Sequence, residues 1–247
     1  MSRPLIGIVG RSMGVEEEGS TIYVFEDARR SILLSGGTPF LILPPQNLAY
    51  AEMVPKETPK LTEEEKLILK QSVDLVDGLF LPGGTSWREY DFWIVRYALD
   101  KNIPILGVCM GMQLLSKIDN QNHFKDVPST IQNEGSIIHR QKDEKYVHFV
   151  DIRKDTLLYQ ILGKERIRVN SLHNYHIPEV SSYKINAIAE DGLIEGVEDP
   201  SQKFVLGVQW HPEKMVSYDE DARKILSYFI ERAKEYQIEK IAIKEKL

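Results

Sequence analysis

Short apolar runs alternate with amphipathic stretches along the first half of the chain. The apolar runs have the length of buried strands, and they span residues 5–9, 39–43, 73–81 and 103–108. The amphipathic stretches predict helices at residues 23–34, 62–71 and 91–101. Thr62 and Glu65 form a capping-box sequence at the start of the second helix. This alternation favours an α/β fold with a mostly parallel sheet covered on both faces.

The second half of the chain has a different pattern. Its predicted strands are short and closely spaced, at residues 146–152, 166–169, 185–190 and 193–198. Such strands suit hairpins, so we expect additional antiparallel strands. Residues 221–236 predict a final helix, and the charged residues 240–247 predict a frayed tail. We expect residues 1–247 to form one domain.

The chain has one cysteine, Cys109, placed where the strand at 103–108 gives way to a helix. Gly107 and Gly111 flank it at two residues on each side. This spacing is typical of a nucleophile elbow, a sharp strand-to-helix turn that needs small neighbours and raises a reactive side chain above the sheet. A helix N-terminus also favours the thiolate form. Free cysteines more often pack as small hydrophobes, so the motif alone leaves both interpretations open.

A nucleophile needs a base, and His211 is the candidate. It ends the apolar run 204–210, at the carboxyl end of a predicted strand, where open α/β sheets build their sites. Glu213 follows two residues later and can orient the imidazole through one ring nitrogen. A lone histidine is usually a structural residue, but the combination with Cys109 favours catalysis.

A diglycine follows the strand at 73–81. Gly83 and Gly84 allow close approach of the backbone to a ligand. The N–H groups of Gly84 and Met110 could together stabilise a developing oxyanion. By itself, the sequence Pro-Gly-Gly is more often only a turn.

Together these motifs resemble those of class I glutamine amidotransferases. Within that superfamily the chain is most similar to the gamma-glutamyl-gamma-aminobutyrate hydrolase group. The matching segments are residues 7–11, 23–44, 82–84, 107–113, 126–129, 138–140, 169–173, 191–195 and 207–213. The resemblance implies a flavodoxin-like, three-layer α/β fold with a mostly parallel central sheet and added antiparallel strands.

The resemblance also implies roles for individual residues. Cys109 is the expected nucleophile, His211 the general base and acid, and Glu213 the residue that orients it. The expected oxyanion hole is formed by the backbone N–H groups of Gly84 and Met110. The expected substrate-binding residues are Gly83, Gln113, Asn170, Ser171, Leu172 and His173.

Two departures from the family pattern fall near the expected substrate. The hydrolase group commonly has arginine directly after the nucleophile, where this chain has Met110, which is more typical of amidotransferases. Residues 116–124 replace the glycine-rich stretch that usually follows the elbow helix. Because of these two departures, the sequence does not identify the amine that the substrate releases.

Composition narrows the functional classes. A net charge of −6 without a basic stripe argues against nucleic-acid binding. With neither a leader-like segment nor a long apolar span, the expectation is a cytoplasmic protein without membrane contact.

His173 and His176 could form a metal pair, but an irregular pocket loop is favoured, and no metal or cofactor is expected. The aromatic cluster at residues 87–93 is expected to pack in the core, with a substrate wall as the alternative.

The expected reaction is hydrolysis of a γ-glutamyl amide through a γ-glutamyl thioester on Cys109. The substrate is then a small γ-glutamyl amine or glutamine. An alternative is a glutaminase that supplies ammonia to a separate synthase partner. A further alternative is a non-catalytic binding protein on the same fold, and a homodimer is compatible with each of these.

Overall fold

The centre of the fold is a mixed β-sheet with helices on both faces. The computed structural model describes residues 2–16, 19–46, 59–85, 87–119 and 137–245. The strands are β1 (Leu5–Val9), β2 (Arg11–Glu16), β3 (Gly19–Tyr23), β4 (Thr38–Ile42), β5 (Gly78–Leu81), β6 (Ile105–Val108), β7 (His148–Ile152), β8 (Arg166–Val169), β9 (Lys184–Ala189), β10 (Ile194–Glu198) and β11 (Val205–Val208). The helices are α1 (Glu26–Leu34), α2 (Glu63–Leu75), α3 (Glu89–Asp100), α4 (Met110–Asp119), α5 (Leu157–Leu162), α6 (Pro212–Met215) and α7 (Glu220–Lys244).

The sheet combines a parallel and an antiparallel half. Its strand order is β4-β1-β5-β6-β11-β10-β9-β7-β8. Neighbours from β4 to β11 are parallel, and neighbours from β11 to β8 are antiparallel. Strands β2 and β3 form a separate hairpin. The predicted α/β fold, with a mostly parallel sheet and added antiparallel strands, is confirmed.

Strand β5 shows how the sheet builds two cores. Phe80 is fully buried with residues of α1 and α7, whereas Leu79 and Leu81 are fully buried with residues of α2, α3 and α4. Successive side chains of a strand point to opposite faces, so a strand covered on both faces must be apolar at every position. This burial explains why the sequence of β5 does not alternate.

The parallel strands bring separate chain segments to one edge of the sheet. Strands β1, β5, β6 and β11 run in the same direction, so the residues that follow each of them lie at that edge. Arg11, the diglycine, Cys109 and His211 all come shortly after one of these strands. The topology therefore brings together residues as far apart in the sequence as Arg11 and His211.

Two predicted boundaries in the first half are wrong. The segment 73–81 is not one strand, because α2 continues to Leu75 and β5 begins only at Gly78. Val73 lies one helical turn after Leu69, and both side chains are fully buried. The helix predicted at 23–34 begins at Glu26, because Tyr23 pairs with Arg11 in the hairpin. The predicted capping box is present: the Thr62 hydroxyl accepts from the Glu65 N–H, and the Glu65 carboxylate accepts from the Thr62 N–H.

The last helix is longer than predicted. It runs to Lys244, so the expected frayed tail is wrong for residues 240–244. The Lys240 ammonium donates to the carbonyl of Val76 at 2.9 Å and pairs with the buried carboxylate of Asp77 at 2.5 Å. A cation placed at the end of α2 satisfies carbonyls that have no partner within that helix.

Some expectations fall outside the described residues. The unusual segment 116–124 is described only to Asp119, and the 126–129 match lies wholly outside the described part. Among the helices of the described part, none has the length and apolarity needed to span a membrane.

Candidate active site

Cys109 occupies a tight turn between β6 and α4. Its N–H donates to Val208 O at 2.8 Å, and its carbonyl accepts from Gln113 at 3.1 Å. A Cβ on Gly111 would lie 2.2 Å from the carbonyl oxygen of Leu81, and one on Gly107 would lie 2.8 Å from the Gly111 backbone. Both flanking positions therefore require glycine, as the elbow motif predicts.

The backbone at Cys109 itself is strained. Its φ of +53° is left-handed, a region that non-glycine residues adopt at a cost of about 1–2 kcal/mol. Such strain persists where the surrounding structure enforces it and is concentrated at functional sites. The side chain is 7% exposed, so the sulfur sits at the sheet edge in a largely enclosed position.

His211 and Glu213 form a buried pair beside this sulfur. His211 Nδ1 donates to Glu213 Oε1 at 2.7 Å, and both side chains are buried. Burial alone would lower the pKa of His211. The Glu213 carboxylate and the Cys109 sulfur outweigh burial and raise that pKa to about 10. The imidazole is therefore cationic at neutral pH, and it lies beside the Cys109 sulfur.

Asn170 fixes the backbone of His211. Asn170 Oδ1 accepts from the His211 N–H at 2.8 Å, and Asn170 Nδ2 donates to the His211 carbonyl at 2.9 Å. These two bonds hold His211 at the point where β11 leads into α6. The side chain of Asn170, a predicted substrate-binding residue, is thus used to hold the backbone of His211.

The diglycine lies against the same residues. A Cβ on Gly83 would come within 2.9 Å of the imidazole of His211, and a Cβ on Gly84 would come within 2.8 Å of the Met110 side chain. Met110 is the first residue of α4, so its N–H has no acceptor within the helix. The two residues predicted to supply the oxyanion donors are therefore neighbours beside Cys109.

A buried ion pair that sequence reasoning missed supports the diglycine loop. Arg11 is 5% exposed; its guanidinium pairs with Asp91 Oδ1 at 2.5 Å and donates to the carbonyl of Pro82 at 3.3 Å. Asp91 Oδ2 accepts from the N–H of Arg88 at 2.8 Å. The available signal was a charged residue directly after the buried strand β1, at the same sheet edge as Cys109.

Gln113 lies one helical turn beyond Cys109. Its Nε2 donates to Tyr175 O at 3.0 Å and to Gln209 Oε1 at 3.1 Å. These two bonds use both N–H groups of the amide and leave only Oε1 for a ligand. Gln209, which was not predicted as a site residue, thereby determines how Gln113 is oriented.

The side chains that follow Asn170 are mostly directed into the protein. Ser171 Oγ donates to His139 O at 2.6 Å, and His173 Nδ1 donates to Tyr175 O at 2.9 Å. Leu172 is half-buried and bridges to Arg140. Binding of substrate by Ser171, Leu172 and His173 stays a prediction.

The aromatic cluster after the diglycine packs in the core. Tyr90 and Phe92 are buried, and Trp87 and Trp93 pack against the same core. Trp87 also donates its indole N–H to the Met110 carbonyl at 3.1 Å. This bond ties the start of α4 to the segment after the diglycine.

Comparison with known proteins gives the family. The Peptidase C26 family model matches residues 85–213, just over half of the chain. A Schizosaccharomyces pombe protein named "Putative glutamine amidotransferase PB2B2.05" is 32% identical over 218 residues, covering 83% of this chain and 80% of that protein. A CTP synthase of Thermosipho africanus is 27% identical over 238 residues, covering 84% of this chain and 42% of that protein.

Solved structures agree on the fold. The glutaminase domain of Trypanosoma brucei CTP synthase with bound acivicin has a TM-score of 0.62 at 21% identity, covering 94% of each chain. PurLQS of Thermotoga maritima has a TM-score of 0.57 at 17% identity, covering 95% of this chain and 99% of that one. The chain belongs to the Peptidase C26 family, among the class I glutamine amidotransferase-like proteins.

Proposed function

We propose that this protein hydrolyses γ-glutamyl amide bonds by means of Cys109, His211 and Glu213. The observation that carries the proposal is geometric: His211 is bonded to Glu213 at 2.7 Å and lies next to a thiol on a strained turn. The raised pKa of His211, about 10, makes its imidazole a proton donor at neutral pH. This arrangement places a sulfur nucleophile and a proton donor side by side. Membership of the family supports amide hydrolysis as the reaction class.

The acylation step begins with Cys109 beside the protonated imidazole of His211. The Cys109 thiolate attacks the γ-carbonyl carbon of the substrate, and the N–H groups of Gly84 and Met110 stabilise the oxyanion. His211 then gives its Nε2 proton to the departing amine as the C–N bond breaks. The products are the free amine and a γ-glutamyl thioester on Cys109.

The deacylation step needs His211 as a base. Once acylated, the sulfur carries no charge, so one of the groups that raise the pKa of His211 is lost. The neutral imidazole then takes a proton from water, which attacks the thioester. The C–S bond breaks and glutamate leaves. The proton taken from water stays on His211, so Cys109 and His211 are back in their starting state.

The two candidate substrates differ in the amine that is released. We favour γ-glutamyl amines such as γ-glutamyl-γ-aminobutyrate, because the sequence resembles that hydrolase group. The second candidate is a glutaminase that supplies ammonia to a synthase. Met110 after the nucleophile and the similarity to CTP synthase support it.

The test is glutamate release from glutamine and from a panel of γ-glutamyl amines, with Cys109→Ala and His211→Ala as variants. The stand-alone hydrolase predicts turnover of at least one γ-glutamyl amine by the wild type and none by Cys109→Ala. Turnover of glutamine only when a synthase is added would support the glutaminase instead. Glutamate from no substrate, together with the absence of a γ-glutamyl adduct on Cys109 by mass spectrometry, would contradict both.

A further inference from the structure

Four buried side chains converge beside the loop that carries Asn170. They are His139, His148, His173 and Glu195, and their side chains are at most 2% exposed. One ligand-type atom from each lies within 4.8 Å of all the others. The residues come from three separate parts of the chain, and the catalytic scheme above uses none of them.

The atoms that face one another have no hydrogen-bond partner. They are His139 Nδ1, His148 Nε2, His173 Nε2 and Glu195 Oε1, and within the described part of the chain none of the four is satisfied. Glu195 Oε1 lies 3.4 Å from His139 Nδ1, 3.3 Å from His173 Nε2 and 4.0 Å from His148 Nε2. An N–H···O bond is normally about 2.7–3.2 Å long, so these separations exceed it.

The other nitrogen of each imidazole is held by an acceptor. His139 Nε2 donates to the Asp191 carboxylate at 2.7 Å. His148 Nδ1 donates to Phe149 O at 3.1 Å, and His173 Nδ1 donates to Tyr175 O at 2.9 Å. Carboxylate and carbonyl oxygens only accept, so each outward nitrogen carries a proton. In the neutral imidazole the inward nitrogen then presents a lone pair.

When the three imidazoles are neutral, four lone-pair atoms therefore face one another within 4.8 Å. Lone pairs facing one another without a proton between them repel, and a cation removes that repulsion. Imidazoles whose outer N–H is bonded to a carboxylate or a carbonyl are the usual arrangement around a protein-bound metal ion. The Asp191–His139 pair has this carboxylate–histidine form.

We propose that His139, His148, His173 and Glu195 bind a divalent transition-metal ion of the zinc class. A tetrahedral ion with bonds of about 2.0–2.1 Å holds its ligand atoms about 3.3–3.4 Å apart. The two shortest separations from Glu195 Oε1, 3.3 and 3.4 Å, match this spacing. Three imidazoles and one carboxylate suit zinc better than magnesium or calcium, which prefer oxygen ligands.

The proposed site is structural. Four protein ligands complete a tetrahedral ion and leave no position for a substrate. The ion joins Glu195 on β10 to His173, which lies in the same loop as Asn170, the residue that clamps His211. The Ser171 hydroxyl also bonds to the His139 carbonyl. The metal would thus stabilise the loop that carries Asn170 and His173, next to His211. This role is separate from the proposed reaction.

The test measures bound metal and does not depend on turnover. Protein carrying Cys109→Ala, which removes the active-site thiol as a competing ligand, is expressed in zinc-supplemented medium and analysed for metal. We expect one zinc per chain. Replacing zinc by Co²⁺ should give the intense visible absorption of a tetrahedral cobalt site.

Matched variants locate the ion. In the same background, Glu195→Gln and His148→Ala should lose the cobalt spectrum, whereas His176→Ala, a histidine outside the cluster, should keep it. Asp191→Asn should weaken metal affinity about 10- to 100-fold. Less than one tenth of an equivalent of zinc together with no cobalt spectrum in the folded Cys109→Ala protein would overturn the proposal and leave an imidazolium–carboxylate cluster. A cobalt spectrum that survives Glu195→Gln and His148→Ala would also overturn it.

Discussion

Asn170 and His211 are joined by two reciprocal hydrogen bonds, one to the N–H and one to the carbonyl of the histidine, at 2.8 and 2.9 Å. The bonds connect the loop after β8 to the end of β11, two segments that are not neighbours in the sheet. The position of the His211 imidazole, the proposed general base, thus depends on an amide that is remote in sequence.

Changing Asn170→Asp should lower kcat more than it changes KM. The new carboxylate still accepts from the His211 N–H but faces the His211 carbonyl without a proton to donate. Displacement of a catalytic group by about 1 Å can cost on the order of 100-fold in rate. Steady-state glutamate release measures the effect, and circular dichroism checks folding. An unchanged kcat would show that the clamp is not needed.

Gly111→Ala should both destabilise the protein and disable Cys109. The added Cβ would lie 2.2 Å from a backbone oxygen of Leu81, which cannot move without displacing β5. Overpacking of this kind typically costs about 1–3 kcal/mol. Urea unfolding and the rate of Cys109 alkylation by iodoacetamide measure the two effects.

Gly192→Ala is the control for this substitution. Gly192 has a φ of +86° but nothing within 4 Å of the added Cβ. It should cost about 1 kcal/mol through backbone strain and leave Cys109 alkylation unchanged. Equal effects of the two substitutions on alkylation would refute the steric explanation.

The pair of His211 and Glu213 should make stability depend on pH above neutrality. The folded-state pKa of His211, about 10, lies above the unfolded value of about 6.5. Its contribution to the free energy of unfolding is therefore fully present below about pH 6.5 and is lost as pH rises through about 10. Urea unfolding of the wild type from pH 6 to pH 10 should show this decline.

Glu213→Gln supplies the comparison. The substitution removes a group that raises the pKa of His211, so the decline should become shallower and shift to lower pH. The difference between variant and wild type isolates this pair from other groups that titrate in the same range. Parallel curves for the two proteins would contradict the assigned coupling.

Asp91→Asn should destabilise the protein by about 3–5 kcal/mol, because it leaves the buried Arg11 guanidinium without its counter-charge. The diglycine loop should also loosen, since Arg11 bonds to Pro82. The control is Glu165→Gln, which breaks an exposed pair with Lys154 and should have little effect on the free energy of unfolding. Urea unfolding compares the two, and similar losses would argue against a structural role for Arg11.

The sequence predicted most of the elements because their signals are local. The pattern predicts strand β8 at its observed bounds, and Thr62 and Glu65 indicate the capping box of α2. The predictions failed where an apolar run served two elements. Val73 is apolar because it packs on the buried face of α2, and periodicity within so short a run cannot separate that helix end from the strand that follows.

For the site, the sequence alone determined the elbow glycines and the His-Pro-Glu spacing, because short-range geometry constrains those residues. Only the tertiary structure decided that Arg11 pairs with Asp91, that Asn170 clamps His211, and that three histidines meet Glu195. These contacts join segments that the strand order brings together, and their partners are chosen by burial. No spacing in the sequence carries that information.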